Sequence, residues 1–516
     1  MLLPVLLVLV ALVVLGILLW RDRVFQQRYQ ALCRLPAPPG NWLLGNIPQL
    51  LQAVKQKRLF RLLADWSQTH GPVYVYWVGR RQPVLVLSDP TVIEQTIMGG
   101  MKDGSLVRAH GANRAWNDIS GPIMIGQSGD EWQWRRKVWN PEFSPSGIAK
   151  YVSPVQAACS QITAKIRTAT PAGPVAVDPL FVELTMRVIA SLLLGIPVEP
   201  SKDSPEGPPL EVEKTYQAMS VLSYRFLRMV TGEPPWRKYL PTPAARDYWA
   251  ARRHLETFLG PRVDLALQLR DHPDSLADTV SSAFRESMLV KIAAKEPRYS
   301  RECLIAECVE LLVAGTDTTA HMLSFAVGEL ASHPDVLAKA QGLVDQVWQR
   351  HGAWSLASLK ELNYLRAIAK ETLRLYSVAS GSTSLEAVRP TQVAGIEVPA
   401  GTKVFWSMLG AGRDAATYPE PEQFWPDRWL DREKGAAPLP MVHFGSGAHR
   451  CLGEHLSLLE STLMLAQLLQ HFRWDLVNGR SSLEDLQQNL LIYPVDQMPL
   501  QFQLRKAEAI APSSAL

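Results

Sequence analysis

The chain has 516 residues, 47% of them hydrophobic and 20% charged, which excludes a disordered chain and points to a folded protein with a sizeable core. Its formal net charge of +4, with 53 basic residues in no dense block, gives no footing for nucleic-acid binding. The sparse, odd cysteine set Cys33, Cys159, Cys303, Cys308 and Cys451 excludes a disulfide scaffold and puts the body of the protein in a reducing compartment.

Leu2 to Trp20 is an apolar run of about 19 residues, a length that crosses a bilayer as a helix. Trp20 closes it, Arg21, Arg23, Arg28 and Arg34 follow, and nothing basic precedes it. That asymmetry predicts a retained anchor over residues 1–20, with the body on the cytoplasmic side. A cleaved signal peptide would carry a basic start and a small-residue cleavage site instead. Residues 21–40 form a basic, proline-rich hinge, and residues 41–507 the main domain, as one body or two lobes at this length. Residues 508–516 read as a flexible tail.

Within the domain a helical pattern runs from Leu50 to Gln68. Pro72–Val78 and Pro83–Leu87 alternate and read as a hairpin turning at Gly79-Arg80-Arg81. The chain then becomes mostly helical, with loops expected at 100–130, 168–179 and 196–210, and Pro197 to Pro209 exposed. Arg301 to Ser332 reads as one long apolar helix ended by His333-Pro334, running through the middle of the domain. Glu302, Glu307, Glu310, Asp317 and Glu329 interrupt it too often for a membrane span. Leu359 to Tyr376 is a further helix, and Gln392–Val398 and Thr402–Trp406 are short strands. No internal repeat is apparent. The architecture is mainly α with small β-sheets.

Four features carry chemistry. In the long helix, Ala314-Gly315-Thr316-Asp317-Thr318-Thr319 places a glycine where it costs about 1 kcal/mol relative to alanine. A flat ligand or small molecule against the backbone would offset that cost. Asp317 and Thr318 supply a carboxylate and a hydroxyl able to hold waters and relay protons; the same stretch also reads as a polar kink in a buried helix. Glu371 and Arg374 share a helix face, as a surface ion pair or as a buried one. Arg428, in Phe424-Trp425-Pro426-Asp427-Arg428-Trp429, could complete a buried Glu–Arg–Arg network.

The last feature is Phe444-Gly445-Ser446-Gly447-Ala448-His449-Arg450-Cys451-Leu452-Gly453, ahead of an apolar helical run from Leu456 to Leu469. Glycines let backbone approach a bulky object, and N–H groups crowded around a sulfur shield it, as a thiolate bound to haem iron requires. A glycine-rich turn holding a buried cysteine fits the loop equally. Zinc fits poorly: Cys451 and His455 have ligand spacing but no second pair. Cys303 and Cys308 sit on an apolar helix as inert core cysteines. No P-loop or dinucleotide fingerprint is present, so electrons must come from another protein.

In this order and spacing the pieces resemble the cytochrome P-450 family of haem-thiolate monooxygenases, over nearly the whole chain and in its membrane-anchored form. The resemblance implies that fold, with the long central helix over haem b (iron protoporphyrin IX), and Cys451 as axial ligand shielded by Phe444. It implies cofactor contacts from Gly445, Gly447, His449, Trp132, Arg136 and Gly315, with Trp132 and Arg136 meeting a propionate. Asp317 and Thr318 would deliver protons, and Glu371, Arg374 and Arg428 would form the structural network. His449 stands where the family usually has arginine. Leu385-Glu386 lies near the position of a second propionate-binding arginine, with Arg389 further on.

The expected activity is insertion of one atom of O2 into an apolar, medium to large substrate. The pocket would be lined from Lys102–Gly121 and Tyr216–Val230, including Trp116, Ile119, Met219, Leu222 and Phe226. Electrons would come from an NADPH-dependent reductase or a ferredoxin. The expected form is a monomer in a membrane, that of the endoplasmic reticulum if the source is eukaryotic. Two rival readings are a haem-thiolate isomerase or dehydratase acting on a peroxide, and a non-catalytic haem-binding protein. Retention of Asp317 and Thr318 favours the monooxygenase over the former.

Overall fold

The helix Arg301–Ser332 runs through the centre of the molecule, and the helices Asp178–Leu194, Asn363–Tyr376, Pro243–Asp271 and Glu454–His471 pack against it. The structure, a computed structural model, describes residues 2–79, 81–199, 206–273, 279–381, 384–430 and 438–505; the side chains of residues 2–11 and 18 lie outside that description. The hydroxyl of Ser300 caps the helix start by accepting from the Cys303 N–H at 3.2 Å, and Pro334 opens the next helix, Pro334–His351. Its apolar faces join one large core with the helices Asp178–Leu194, Asn363–Tyr376 and Glu454–His471.

Three of the acidic residues that interrupt its hydropathy have partners from other elements. Glu307 accepts from Arg135 at 2.5 Å, from the Tyr299 hydroxyl at 2.6 Å and from the Trp139 ring N–H. Glu310 accepts from the backbone N–H of Ile125 at 3.0 Å. Glu329 accepts from the Tyr376 hydroxyl and pairs with His333 at 3.1 Å.

A five-stranded sheet lies to one side, ordered Val73–Val78, Gln82–Leu87, Lys403–Trp406, Leu385–Ala387, Leu106–Arg108. Its first two strands form the expected hairpin, whose Arg80 lies outside the described residues. The middle pairing is parallel and joins the beginning of the chain to its last third. Antiparallel pairing then sets Leu106–Arg108 against Leu385–Ala387. A second sheet is formed by Val175–Ala176, Pro499–Leu504 and Phe472–Leu476, and two short hairpins complete the strands.

Several expectations need correction. The helix expected over Leu50–Gln68 is two, Ile47–Lys55 and Leu59–His70, broken where Lys57 adopts φ 56°. Leu359–Tyr376 is likewise Leu356–Glu361 followed by Asn363–Tyr376. The expected loop at 100–130 contains the strand Leu106–Arg108, the helix His110–Ile119 and a 3-10 turn, Met124–Gly126. The stretch Pro197–Pro209 is not simply exposed. Among its described residues Glu206 is buried and accepts from Ser281 N–H at 2.7 Å, while Arg262 donates to the Pro208 carbonyl at 2.8 Å. The tail at 508–516 lies outside the described residues.

The membrane anchor is overturned. Among the described residues no helix is long and apolar enough to cross a membrane. Leu2–Arg28 is one helix that continues through Arg21, Asp22, Arg23 and Arg28, so residues 21–28 are not a hinge. Its charged end instead meets the body, where Phe25 packs on Trp77 with ring centroids 5.6 Å apart and Arg28 donates to the Ala400 carbonyl at 2.6 Å. With the anchor go the anchored form of the family, the membrane as partner, the single-pass topology with a cytoplasmic body, and the endoplasmic reticulum location.

Candidate active site

Two 3-10 turns, Val442–Phe444 and Gly447–His449, shape the cysteine loop. Gly445 (φ 72°) and Gly447 (φ 58°) lie in the left-handed region, where a side chain is strained. The fold closes when Cys451 N–H donates to the Phe444 carbonyl at 2.5 Å, which holds the buried Phe444 next to the cysteine. Burial pushes the Cys451 thiol up; the N–H groups of Gly453 and Glu454 and the charge of Arg136 favour the thiolate. The Cys451 side chain nonetheless keeps accessible surface.

On the central helix, buried residues surround a stripe that also keeps accessible surface: Glu310, Ala314, Asp317 and Thr318. The spacing i, i+4, i+7, i+8 is one helix face. Thr318 donates its hydroxyl proton to the Ala314 carbonyl at 2.7 Å. Burial pushes Asp317 up to about 6, against the pull of His321. Burial and the nearby charge of Glu307 push Glu310 up to about 8. Thr319 donates to Ser457 at 3.0 Å, tying this stretch to the helix that follows the cysteine loop.

Gly315 does not open its missing side chain toward the pocket. A Cβ there would meet Ile189 of the helix Asp178–Leu194 at 3.0–3.3 Å, so close helix packing offsets its cost. The expected contact of Gly315 with a flat ligand is corrected accordingly.

Cations converge beside the loop. Trp132 and Arg136 lie on the helix Gly129–Phe143. Trp132 stacks on His449, with centroids 3.8 Å apart at 23°, and Arg136 donates to the Arg450 carbonyl at 2.6 Å. Arg450 itself turns away to Glu454 at 2.6 Å. Arg108, which the sequence reading missed, comes in from the strand Leu106–Arg108. Burial lowers it to about 10, with Arg136 adding repulsion and Glu310 opposing. Burial and these two arginines push His449 down to about 4, so its ring is neutral. Its buried Nδ1 and the Nε of Arg136 have no hydrogen-bond partner among the described residues.

Arg389 is elsewhere, donating to the Asp103 carbonyl at 2.9 Å on the surface, and Glu386 faces His110 at 3.4 Å. Over the central helix Trp116 stacks on Phe226 with centroids 3.9 Å apart, among the buried Ile119, Met219 and Leu222. A surface cavity of about 300 Å³, lined by Asp118, Lys238, Arg252 and Glu302 among others, includes none of these site residues.

Glu371, Arg374 and Arg428 meet in the interior: Arg374 donates to both oxygens of Glu371 at 2.7 and 2.9 Å, and Arg428 donates to one at 2.9 Å. Among the described residues no group of three or more His, Cys, Asp or Glu side chains could hold a metal ion.

The cysteine loop thus lies beside the partly buried Arg108 and Arg136, and the helix after it is tied to the central helix through Ser457 and Thr319. Residues 35–502 match the family model described as Cytochrome P450, and the chain belongs to that family. It is 28% identical to steroid 21-hydroxylase of Homo sapiens, with 80% of this chain and 81% of that protein covered. It is 26% identical to thromboxane-A synthase of Sus scrofa, with 92% of each covered. It is 25% identical to cyclooctat-9-en-7-ol 5-monooxygenase of Streptomyces melanosporofaciens, with 86% of this chain and 92% of that protein covered. The chain is a haem-dependent oxygenase and an oxidoreductase, and its family membership implies a haem b cofactor.

Proposed function

We propose that Cys451 is the axial thiolate of this enzyme and that the space between it and the stripe from Glu310 to Thr318 holds haem and an apolar substrate. The carrying observation is that Cys451 keeps accessible surface and that this stripe does so among the otherwise buried residues of the central helix. The buried cations support the fit. Arg108, Arg136 and the Nδ1 of His449 sit together at a cost that a dicarboxylate such as the two haem propionates would relieve.

When bound, haem supplies the O2 chemistry, with electrons from a separate reductase or ferredoxin. The chain's own residues bind, orient and supply protons. Gly445 and Gly447 let the loop backbone wrap the thiolate, and Phe444 shields it. Trp132, Arg136 and His449 hold the propionate edge. Asp317, half protonated near pH 6, supplies protons to the pocket, and Thr318 orients water there. Trp116 and Phe226 exclude water above the substrate.

In a reduced, carbon monoxide-treated sample the Soret band should be red-shifted as thiolate ligation requires, and Cys451→Ala should abolish the shift. A shift retained in Cys451→Ala removes the assignment. O2 consumption linked to an oxygenated product separates a monooxygenase from an isomerase acting on a peroxide.

A further inference from the structure

Every proton that Asp317 gives to the pocket has to be replaced, and behind Asp317 lies a group of titratable side chains that the proposed function leaves unused. His321 is one helical turn further along the central helix and only 3% exposed. Its Nδ1 is 2.8 Å from Oδ1 of Asp178, the first residue of the helix Asp178–Leu194. The Ser324 hydroxyl donates to the same oxygen at 2.7 Å, which fixes the carboxylate.

Two tyrosines complete the surroundings. Tyr216 comes from the helix Val212–Val230, and its hydroxyl is held protonated by burial and by the charges of Asp317 and Asp178. Tyr493 comes from the strand Ile492–Pro494, its ring centroid 6.0 Å from that of His321. On its outer side the Tyr493 hydroxyl accepts from Lys57 at 3.1 Å and donates to Gln487 at 3.2 Å. Lys57 is partly exposed, at the break between the two helices near the start of the domain. Titratable groups thus run inward from the surface: Lys57, Tyr493, His321 with Asp178, then Asp317. Oδ1 of Asp317 is buried without a hydrogen-bond partner among the described residues.

Burial opposes a charge on His321, but the charge and hydrogen bond of Asp178, with Asp317 behind, raise it above its ordinary value. Asp317 sits at about 6, below His321, so the imidazolium persists where Asp317 has begun to give up its proton.

We propose that the His321–Asp178 pair resupplies Asp317 with protons drawn from solvent past Tyr493 and Lys57. This rests on Asp317 being the acid of the proposed oxygenase. In the step, the Asp317 carboxyl releases its proton to the pocket and becomes a carboxylate. An N–H proton of the His321 imidazolium then passes to it across one turn, about 5–6 Å between Cβ atoms, a gap that one water spans. Neutral His321, still hydrogen-bonded to Asp178, regains a proton from solvent. No electrons move, and one proton travels from solvent to pocket.

His321 is a positioning residue that acts through Asp317, so its test must follow protons as well as activity. The carboxyl stretch of Asp317 is followed by infrared difference spectroscopy against pH in the resting full-length holoenzyme, with Asp317→Asn assigning the band. The wild-type midpoint is expected near pH 6. In His321→Gln it should rise by about one pH unit, because a neighbouring positive charge is lost. Product formed per electron pair should fall about tenfold, with a steeper loss toward high pH. Tyr493→Phe, which keeps the ring, should slow turnover in the same sense and serves if His321→Gln does not fold. An unchanged midpoint and pH profile in His321→Gln, or in its absence an unchanged pH profile in Tyr493→Phe, overturns the relay. Unchanged coupling in Asp317→Asn overturns the assignment of the acid itself.

Discussion

Arg108 and Leu385 are directly paired residues on neighbouring antiparallel strands. The family resemblance led us to look for a cation near Leu385-Glu386. It arrives instead from the partner strand, about 5 Å away across the ladder. Arg108 is drawn toward the cysteine loop, where its charge acts on His449 and Arg136. Arg108→Ala is expected to weaken haem retention by about ten- to a hundredfold, the worth of one or two charge-assisted hydrogen bonds. Haem transfer to excess apomyoglobin measures this. A transfer rate equal to wild type would remove Arg108 from the propionate edge.

Which parts were legible follows from the range of the signals. The central helix could be read to its ends because Ser300 and Pro334 are local stop signs. The break at Lys57 could not, because a non-glycine residue in the left-handed region leaves no mark in the sequence. Arg108 was missed because its role depends on pairing between distant parts of the chain. The Gly315 cost was noticed correctly, but a helical pattern does not say whether a ligand or another helix takes up the space. Hydropathy and the arginines after Trp20 point to a membrane anchor, but neither shows that the helix runs on through Arg21–Arg28 and ends against the body.

That reassignment of Gly315 leads to a measurement. Gly315→Ala gains about 1 kcal/mol of helix propensity. It also presses a methyl group to 3.0 Å from Ile189, and such overpacking costs about 1–3 kcal/mol. The expected result is a net loss of about 1 kcal/mol in unfolding free energy with substrate affinity unchanged, read by thermal unfolding and by substrate-induced spectral shifts. Since Cγ1 of Ile189 is the nearest obstacle, Gly315→Ala with Ile189→Ala should cost less than the sum of the two single changes. If affinity falls while stability holds, the glycine faces the ligand after all.

Glu310 makes a pH prediction whose sign is determined. Burial raises its carboxyl from 4.5 to about 8, so between those values the folded protein keeps a proton that the unfolded chain has released. Stability therefore falls as pH climbs through that window and levels off above about 8. Glu310→Gln retains an acceptor for Ile125 N–H and removes the titration. At about 1.4 kcal/mol per pH unit, it should be more stable than wild type by up to about 5 kcal/mol near pH 9 and equal to it near pH 4. Parallel unfolding curves across pH would contradict the assignment.

The buried network around Glu371 distinguishes its two arginines. All five N–H groups of Arg374 are engaged: two on Glu371, and three on the carbonyls of Gly412, Pro421 and Gln423 at 2.5–2.9 Å. Arg428 makes three bonds, to Glu371 and to the carbonyls of Pro419 and Glu420. A lysine has three donors on one nitrogen and cannot reproduce the planar fork. In Arg374→Lys at least two buried acceptors lose their partner, at about 1–3 kcal/mol each. In Arg428→Lys the donor count still suffices, and the cost should be about 1–2 kcal/mol. Arg374→Lys should therefore unfold at a clearly lower temperature than Arg428→Lys. Equal losses would mean that the charge on Glu371, rather than the number of bonds each arginine makes, is what holds residues 412–429 against the helix Asn363–Tyr376.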